Sequence, residues 1–317
     1  MYDSNSKGIS YTAGFFILIA FCVAGLVIGT LVSIPIWTGM TGKGLKAMTE
    51  ADPADANAFR VIQAVSTLVG FFVPAILTAA LMNRKPYKLI GFTKKFSGLQ
   101  VLLVVLIMLA ALFASGAFGW VNQHLPMPDS WKPFFQKLED QYFKQVNAIM
   151  QLKNGGDYFI ALLIMAFLPA VFEESLFRGG LQNFLTRSTN KPWLSIIIVS
   201  IIFSIVHFSY YGFLPRMFLG MALGLIYYYT GSLWLSITGH FLNNAITVTA
   251  YYAANSKLLK NMSEENISIS MVYVGLLALA IVIGLLIALK QVSPKDKPTE
   301  VLSLGDIRDK APWEIND

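Results

Sequence analysis

The chain has 317 residues, 55% hydrophobic and only 13% charged, with a mean hydropathy of +0.58. A soluble domain carries about 25% charge, so this composition excludes an ordinary soluble enzyme and predicts an all-α, multi-pass membrane bundle. The net charge of +6 is spread over connecting loops, which excludes a nucleic-acid-binding face and leaves the lipid bilayer as the expected partner.

Residues 8–42, 61–83, 96–128, 158–172, 192–215, 217–256 and 266–289 carry no Lys, Arg, Asp or Glu. About 20 apolar residues make one crossing. The run 217–256 fits two crossings, divided at Thr230-Gly231-Ser232. The run 158–172 reaches full length only if its helix continues through Glu173 and Glu174. Eight transmembrane helices are predicted, near 12–36, 61–82, 98–121, 158–180, 192–210, 215–230, 234–252 and 269–289.

The first helix exceeds a signal-peptide apolar run and no clear cleavage site follows, so it reads as a retained anchor. It holds Cys22, the only cysteine, which excludes an internal disulfide and leaves packing as its role. Between the second and third helices, Arg84, Lys85, Lys88, Lys94 and Lys95 fill one loop with no acid. Arg178, Arg187 and Lys191 fall two connections later, and Lys290, Lys295 and Lys297 follow the last helix. Basic bias on alternate loops predicts a cell-membrane protein with both termini cytoplasmic.

His124, beside Pro126 and Pro128, reads as a loop residue without a role. Next comes the one sizeable polar insert, 129–156. Its Trp131, Phe135, Leu138, Tyr142, Val146 and Ile149 recur at helical spacing, opposite Lys132, Lys137, Asp140 and Lys144. That predicts an amphipathic helix at the membrane interface, covering the bundle or gating substrate access. Residues 1–156 thus form an N-terminal unit, 157–252 a polar-bearing core, 253–292 a last helix, and 293–317 a solvated cytoplasmic tail. Tyr227 to Tyr229 and Trp234 flank the 230–232 turn as an aromatic belt.

The core carries the chemistry. Its first helix reads FLPAVFEESLFRGGLQ, and ionisable groups at membrane depth persist where they pair, line a wet cavity or react. Glu174 and Arg178 are spaced i,i+4 in the favoured order for an ion pair, which makes them a brace. Glu173, about 100° away on the helix, is left free for chemistry; the rival assignment exchanges the two carboxylates. Desolvation makes a carboxylate a better general base. The next helix carries His207. Glu173 lies about 16 residues before the turn at Ser188 to Lys191 and His207 about 17 after it, so an antiparallel hairpin sets them at one depth. His240 and Asn244 share one face of the seventh helix, with Asn243 pointing away, and can donate two hydrogen bonds to an oxyanion. Glu173 with His207 would activate water, and His240 with Asn244 would hold the tetrahedral oxyanion of a peptide carbonyl. No cofactor is favoured, although Glu173, His207 and His240 would also make a zinc site with an open water position. No HExxH helix and no GxSxG elbow is present.

These residues resemble the CPBP intramembrane proteases, which include the Ras-converting CAAX endopeptidase and bacterial Abi-type proteins. The resemblance covers about residues 157–252. Glu173, Glu174 and Arg178, continuing as Gly179, match an EExxxR motif. Phe203 with His207 matches FxxxH, and His240 with Asn244 matches HxxxN. The segment LGMALGLIYYYTGSLWLSITGH is similar to the family's glycine-rich helix and turn. The resemblance implies that the first Glu of the pair and His207 activate water, that His240 and Asn244 form the oxyanion site, and that Glu174, Arg178 and Phe203 support them. Family members are described as metalloproteases and as metal-independent glutamate proteases, and the His-Asn pair favours the latter. The expected activity is endopeptidase cleavage of a membrane-associated protein or peptide, in a cavity open to the cytoplasm. A non-catalytic scaffold, immunity protein or chaperone on the same fold is the alternative, and a proton-coupled carrier is a third reading.

Overall fold

The structure is a computed structural model that describes residues 5–93, 95–255 and 269–293. These residues form helices and turns with no strand, apart from one bridge between Ser6 and Asn83. The long segments are α1 (Tyr11–Thr41), α2 (Pro53–Met82), α3 (Gly98–His124), α4 (Lys132–Ile149), α5 (Gly155–Thr189), α6 (Pro192–Ile205), α7 (Phe213–Thr230), α8 (Leu233–Asn255) and α9 (Ile269–Val292). The tail beyond Ser293 and the 256–268 connection lie outside the described residues.

Each of the eight expected regions is mostly helical, and among the described residues five segments are long and apolar enough to cross a membrane: α1, α2, α3, α5 and Met271–Val292 of α9. The 14-residue α6 spans about 21 Å, short of a bilayer core of about 30 Å. Arg216 lowers the hydropathy of α7, and His240, Asn243 and Asn244 lower that of α8. Outward faces carry Phe16, Val23, Leu31, Leu102, Phe113 and Leu277, all exposed. Apolar outward faces on helices of this length make a multi-pass membrane protein. His124 is the last residue of α3, not a loop residue, and stacks on Trp120. Cys22 is half-buried against the cluster around Leu18, Phe177 and Phe184.

Two apolar cores flank the polar site. One joins α3, α7 and α9 through Ile107, Met108, Leu223, Ile226 and Val282. The other joins α1, α2, α5 and α6 through Leu18, Ala75, Phe177 and Val199. One end of the bundle is tied by backbone hydrogen bonds from Lys7 N to Met82 O, from Arg84 N to Asn5 O and from Leu233 N to Gly91 O. At that same end Gln100 Nε2 donates to Ser293 Oγ.

The helix α5 is not uniform. It is π-helical over Leu162–Phe167, α-helical over Leu168–Glu174, π-helical again over Ser175–Gln182, and α-helical over Asn183–Thr189. Pro169 has no N–H for the regular bond to the preceding turn, and the first bulge lies just before it. The second bulge holds Arg178, Gly179 and Gly180. Gly179 lets α5 lie against the 84–93 loop, since a Cβ there would sit 2.9 Å from Ile90 O and from Ile90 Cβ. Neither neighbour is a flexible side-chain end, so Gly179→Ala is expected to cost about 1–3 kcal/mol, read as a lowered unfolding temperature in detergent.

Glycines on α7 serve a related purpose. Arg178 Nη2 donates to Gly220 O at 3.0 Å, and Gln182 Nε2 donates to Gly224 O at 2.9 Å. The i,i+4 pair on α5 thus meets an i,i+4 pair of backbone carbonyls on α7. A Cβ at position 224 would lie 2.8 Å from Gln182 Oε1, so a larger residue would displace this clasp.

Candidate active site

Glu173 and Glu174 end the α-helical stretch Leu168–Glu174 and are 8% and 0% exposed. Arg178 Nη1 donates to Glu174 Oε1 at 2.8 Å, and the guanidinium lies 4.8 Å above the Phe203 ring. His240 Nδ1 meets the same Glu174 oxygen at 2.8 Å. A carboxylate paired with Arg is ionised and only accepts, so His240 Nδ1 carries the proton of that bond. Across the ring, His240 Nε2 faces Glu173 Oε2 at 3.9 Å, longer than a direct hydrogen bond. Glu173 Oε2 is buried and has no partner.

This changes the role expected for Glu174. It is not only the partner of Arg178; it also holds His240. The two carboxylates diverge on the helix, yet both reach one imidazole, because the ring's nitrogens point in different directions. Glu173, left without a bond at its inward oxygen, is the acceptor a water or a reacting group would find.

His207 is half-buried and lies two residues beyond α6, not inside a helix that runs to 210. Ser204 Oγ turns to Phe213 O at 2.6 Å, and Phe208 adopts a left-handed backbone with φ of 50°. That conformation ends a helix of L residues. His207 Nδ1 is 2.7 Å from Phe203 O. A carbonyl only accepts, so Nδ1 donates and Nε2 keeps a free lone pair. The charged and titratable groups that act on His207 are Glu173, Arg216 and His240.

Phe203 is the apolar wall between these groups. Its ring centroid is 4.9 Å from that of His207, 5.8 Å from that of His240 and 5.1 Å from that of Phe177. Glu173, Glu174, Arg178, Phe203, His207 and His240 are therefore one cluster. Asn244 stands one helical turn beyond His240, half-buried, and its Oδ1 accepts from Asn243 Nδ2 at 3.2 Å. Asn243, expected to point away, instead occupies the Asn244 carbonyl and leaves the Asn244 amide hydrogens free to donate.

The residues that would hold zinc are Glu173, His207 and His240. Among the described residues no three His, Cys, Asp or Glu side chains are grouped to hold a metal ion. His240 turns one nitrogen to Glu174, and its other nitrogen lies 3.9 Å from Glu173.

Three residues around the cluster went unnoticed in the sequence. Asn122, near the end of α3, donates to Tyr210 O at 2.9 Å and accepts from Leu214 N at 3.0 Å. Glu139 of α4 is 4% exposed and accepts from Ser209 Oγ at 3.1 Å and Tyr211 N at 3.4 Å. Together they clamp the loop that follows His207. Glu139 was legible, because it falls four residues after Phe135 and three before Tyr142, within the apolar stripe. The third, Arg216, is the one Lys, Arg, Asp or Glu between Lys191 and Lys257. A cavity of about 660 Å³ lies beyond this loop, lined by Gln123, Pro126, Phe135, Gln136, Tyr210 and Tyr211. It sits where α3 ends, opposite the end tied by the 84–93 loop.

Residues 155–246 match the family model described as Rce1-like, type II CAAX prenyl endopeptidase. No curated protein and no solved structure matches the chain. The matched segment contains every residue of the Glu173–His240 cluster, and the match is consistent with the CPBP/CAAX protease family.

Proposed function

We propose that the protein is an intramembrane endopeptidase that hydrolyses a peptide bond of a membrane-associated protein or peptide. The observation that carries this reading is the unpartnered Glu173 Oε2, buried 3.9 Å from His240 Nε2 in the cluster that includes His207. Water between Glu173 and the free Nε2 of His207 gives up one proton to this pair and adds its oxygen to the scissile carbonyl carbon. The carbonyl oxygen becomes an oxyanion, which His240 Nε2–H and the Asn244 amide hold. Because Nδ1 already donates to Glu174, His240 donates from Nε2 only when both ring nitrogens carry a proton. The proton taken from water then moves to the leaving nitrogen, the C–N bond breaks, and a carboxylic acid and an amine result. This sequence of steps requires no metal; zinc held by Glu173, His207 and His240 would instead activate the water as a Lewis acid. The end of the bundle bearing the basic 84–93 loop faces the cytoplasm.

The 2.8 Å bond from His240 to Glu174 favours a second assignment of roles. A carboxylate that orients an imidazole through Nδ1 readies Nε2 as the base, which would give His240 the water proton and leave Glu173 to position the water. Both assignments give the same hydrolysis.

A comparison of membrane proteomes from cells carrying wild type, Glu173→Ala and His207→Ala tests the function. Loss of the same cleavage product in both variants is expected. An identical product set and phenotype in all three would favour a scaffold, immunity protein or chaperone instead.

A further inference from the structure

Glu139 belongs to α4, outside the 155–246 segment that matches the family model, yet both of its carboxyl oxygens are used on the loop that follows His207. Oε1 accepts from Ser209 Oγ at 3.1 Å, and Oε2 accepts from Tyr211 N at 3.4 Å. Its neighbours on the same helical face, four residues before it and three after, meet the same stretch of chain. The Phe135 ring lies 4.6 Å from that of Tyr210, and the Arg216 guanidinium rests 4.8 Å above the Tyr142 ring. One face of α4 therefore grips residues 209–216. A buried carboxyl costs free energy that an apolar side chain in its place would not, so packing alone does not account for Glu139.

What α4 grips is continuous with the site. Ser209 is two residues beyond His207, and α6 has already ended at Ile205. The turn between them is not helical. Phe208 has a φ of 50° and a side chain 67% exposed, so its ring does not hold the turn from within. A left-handed backbone at an L residue persists where its surroundings fix it. Ser209 does this: it is buried, donates to Glu139, and accepts from Gly212 N at 3.2 Å. Asn122 of α3 takes Tyr210 O and Leu214 N on the far side of the turn. On the near side, the His207 ring is tied only through Nδ1, to Phe203 O. We propose that Glu139 is a positioning residue for the reaction. It holds the turn after His207, and through that turn it sets the direction in which His207 presents Nε2 to water. It does so without touching the substrate. This inference rests on the peptidase reading for the rates it predicts, and on the fold alone for the state of the imidazole.

The test is a double-mutant cycle in the full chain, reconstituted in phosphatidylcholine nanodiscs. The probe is a lipid-anchored peptide spanning a site that the membrane-proteome comparison finds cleaved by wild type alone. Glu139→Leu should lower kcat about 10–100-fold while KM stays within about threefold. In a chain already carrying His207→Ala, adding Glu139→Leu should change the residual rate by less than about twofold, because the residue it positions is gone. A general loosening of the fold would lower both rates alike. Glu139→Gln should restore most of kcat, since its amide oxygen still accepts from Tyr211 N and its N–H can donate to Ser209 Oγ. Ser209→Ala removes one of the two bonds and takes the place of Glu139→Leu in the cycle if that variant does not fold. A second readout needs no turnover. With isotope-labelled histidine, the nitrogen spectrum of wild type should show His207 as one neutral form protonated at Nδ1, assigned by its loss in His207→Ala. In Glu139→Leu the same ring should exchange between tautomers. Equal rate losses in the two backgrounds, or a His207 spectrum unchanged by Glu139→Leu, would overturn the proposal. A proteome with no site cleaved by wild type alone would sink the peptidase reading instead, and the spectrum by itself would then decide the positioning role.

Discussion

Glu173→Gln is expected to lower kcat by about 10²–10⁴-fold, equivalent to about 3–5 kcal/mol of barrier, with little change in unfolding temperature. The substitution keeps the side chain's size and removes its basicity. It should be mild for folding, because Glu173 Oε2 has no hydrogen-bond partner to lose. The measurement is single-turnover cleavage of an anchored peptide alongside thermal unfolding in the same detergent. A variant that keeps full activity would refute Glu173 as the base and as the residue that positions water. Within the same assay, His240→Gln separates the two assignments for His240. An amide can still donate to an oxyanion but cannot accept the water proton. Activity well above that of His240→Ala fits the oxyanion role, and equal loss in both fits the base role.

Arg178→Met should be the most damaging change to stability, costing about 3–5 kcal/mol. It leaves the fully buried Glu174 carboxylate without its Arg partner and removes the bond to Gly220 O that ties α5 to α7. The loss should appear as a large fall in unfolding temperature together with loss of cleavage, because the same Glu174 oxygen orients His240. Arg178→Lys should fall between wild type and Arg178→Met, since an ammonium lacks the two-armed reach to Glu174 and to the α7 carbonyl. An Arg178→Met protein that unfolds at the wild-type temperature would show that the pair is not the brace. Comparison with Glu173→Gln then contrasts two adjacent carboxylates, one placed for chemistry and one for structure and orientation.

Part of this arrangement could be read along the chain. The Glu174–Arg178 pair is local, and helical spacing alone brings the two side chains together. The hairpin argument set Glu173 and His207 at one depth; in the folded chain the Phe203 ring lies against both His207 and His240, and His240 Nε2 faces Glu173. It did so although α6 ends at Ile205, because the residues after it continue as a tight turn rather than leave the site. The number of crossings was harder to read, because apolar character does not fix how deep a 14-residue helix runs. The bulges in α5 were also hidden. Pro169 and Gly179-Gly180 announce an irregular helix, but not which hydrogen bonds the backbone adopts around them.

The sequence by itself determined the class of the protein, a helical membrane bundle, through long charge-free runs at helical length. It also determined which side chains are costly enough at membrane depth to need a reason. Only the tertiary structure decided how those side chains share partners. One oxygen of Glu174 serves both Arg178 and His240, and Glu173 is left with an open acceptor. The physical reason is range. Helical periodicity governs residues three and four apart, whereas hydrogen bonds across α5, α7 and α8 depend on how glycines such as Gly179, Gly220 and Gly224 let the backbones approach.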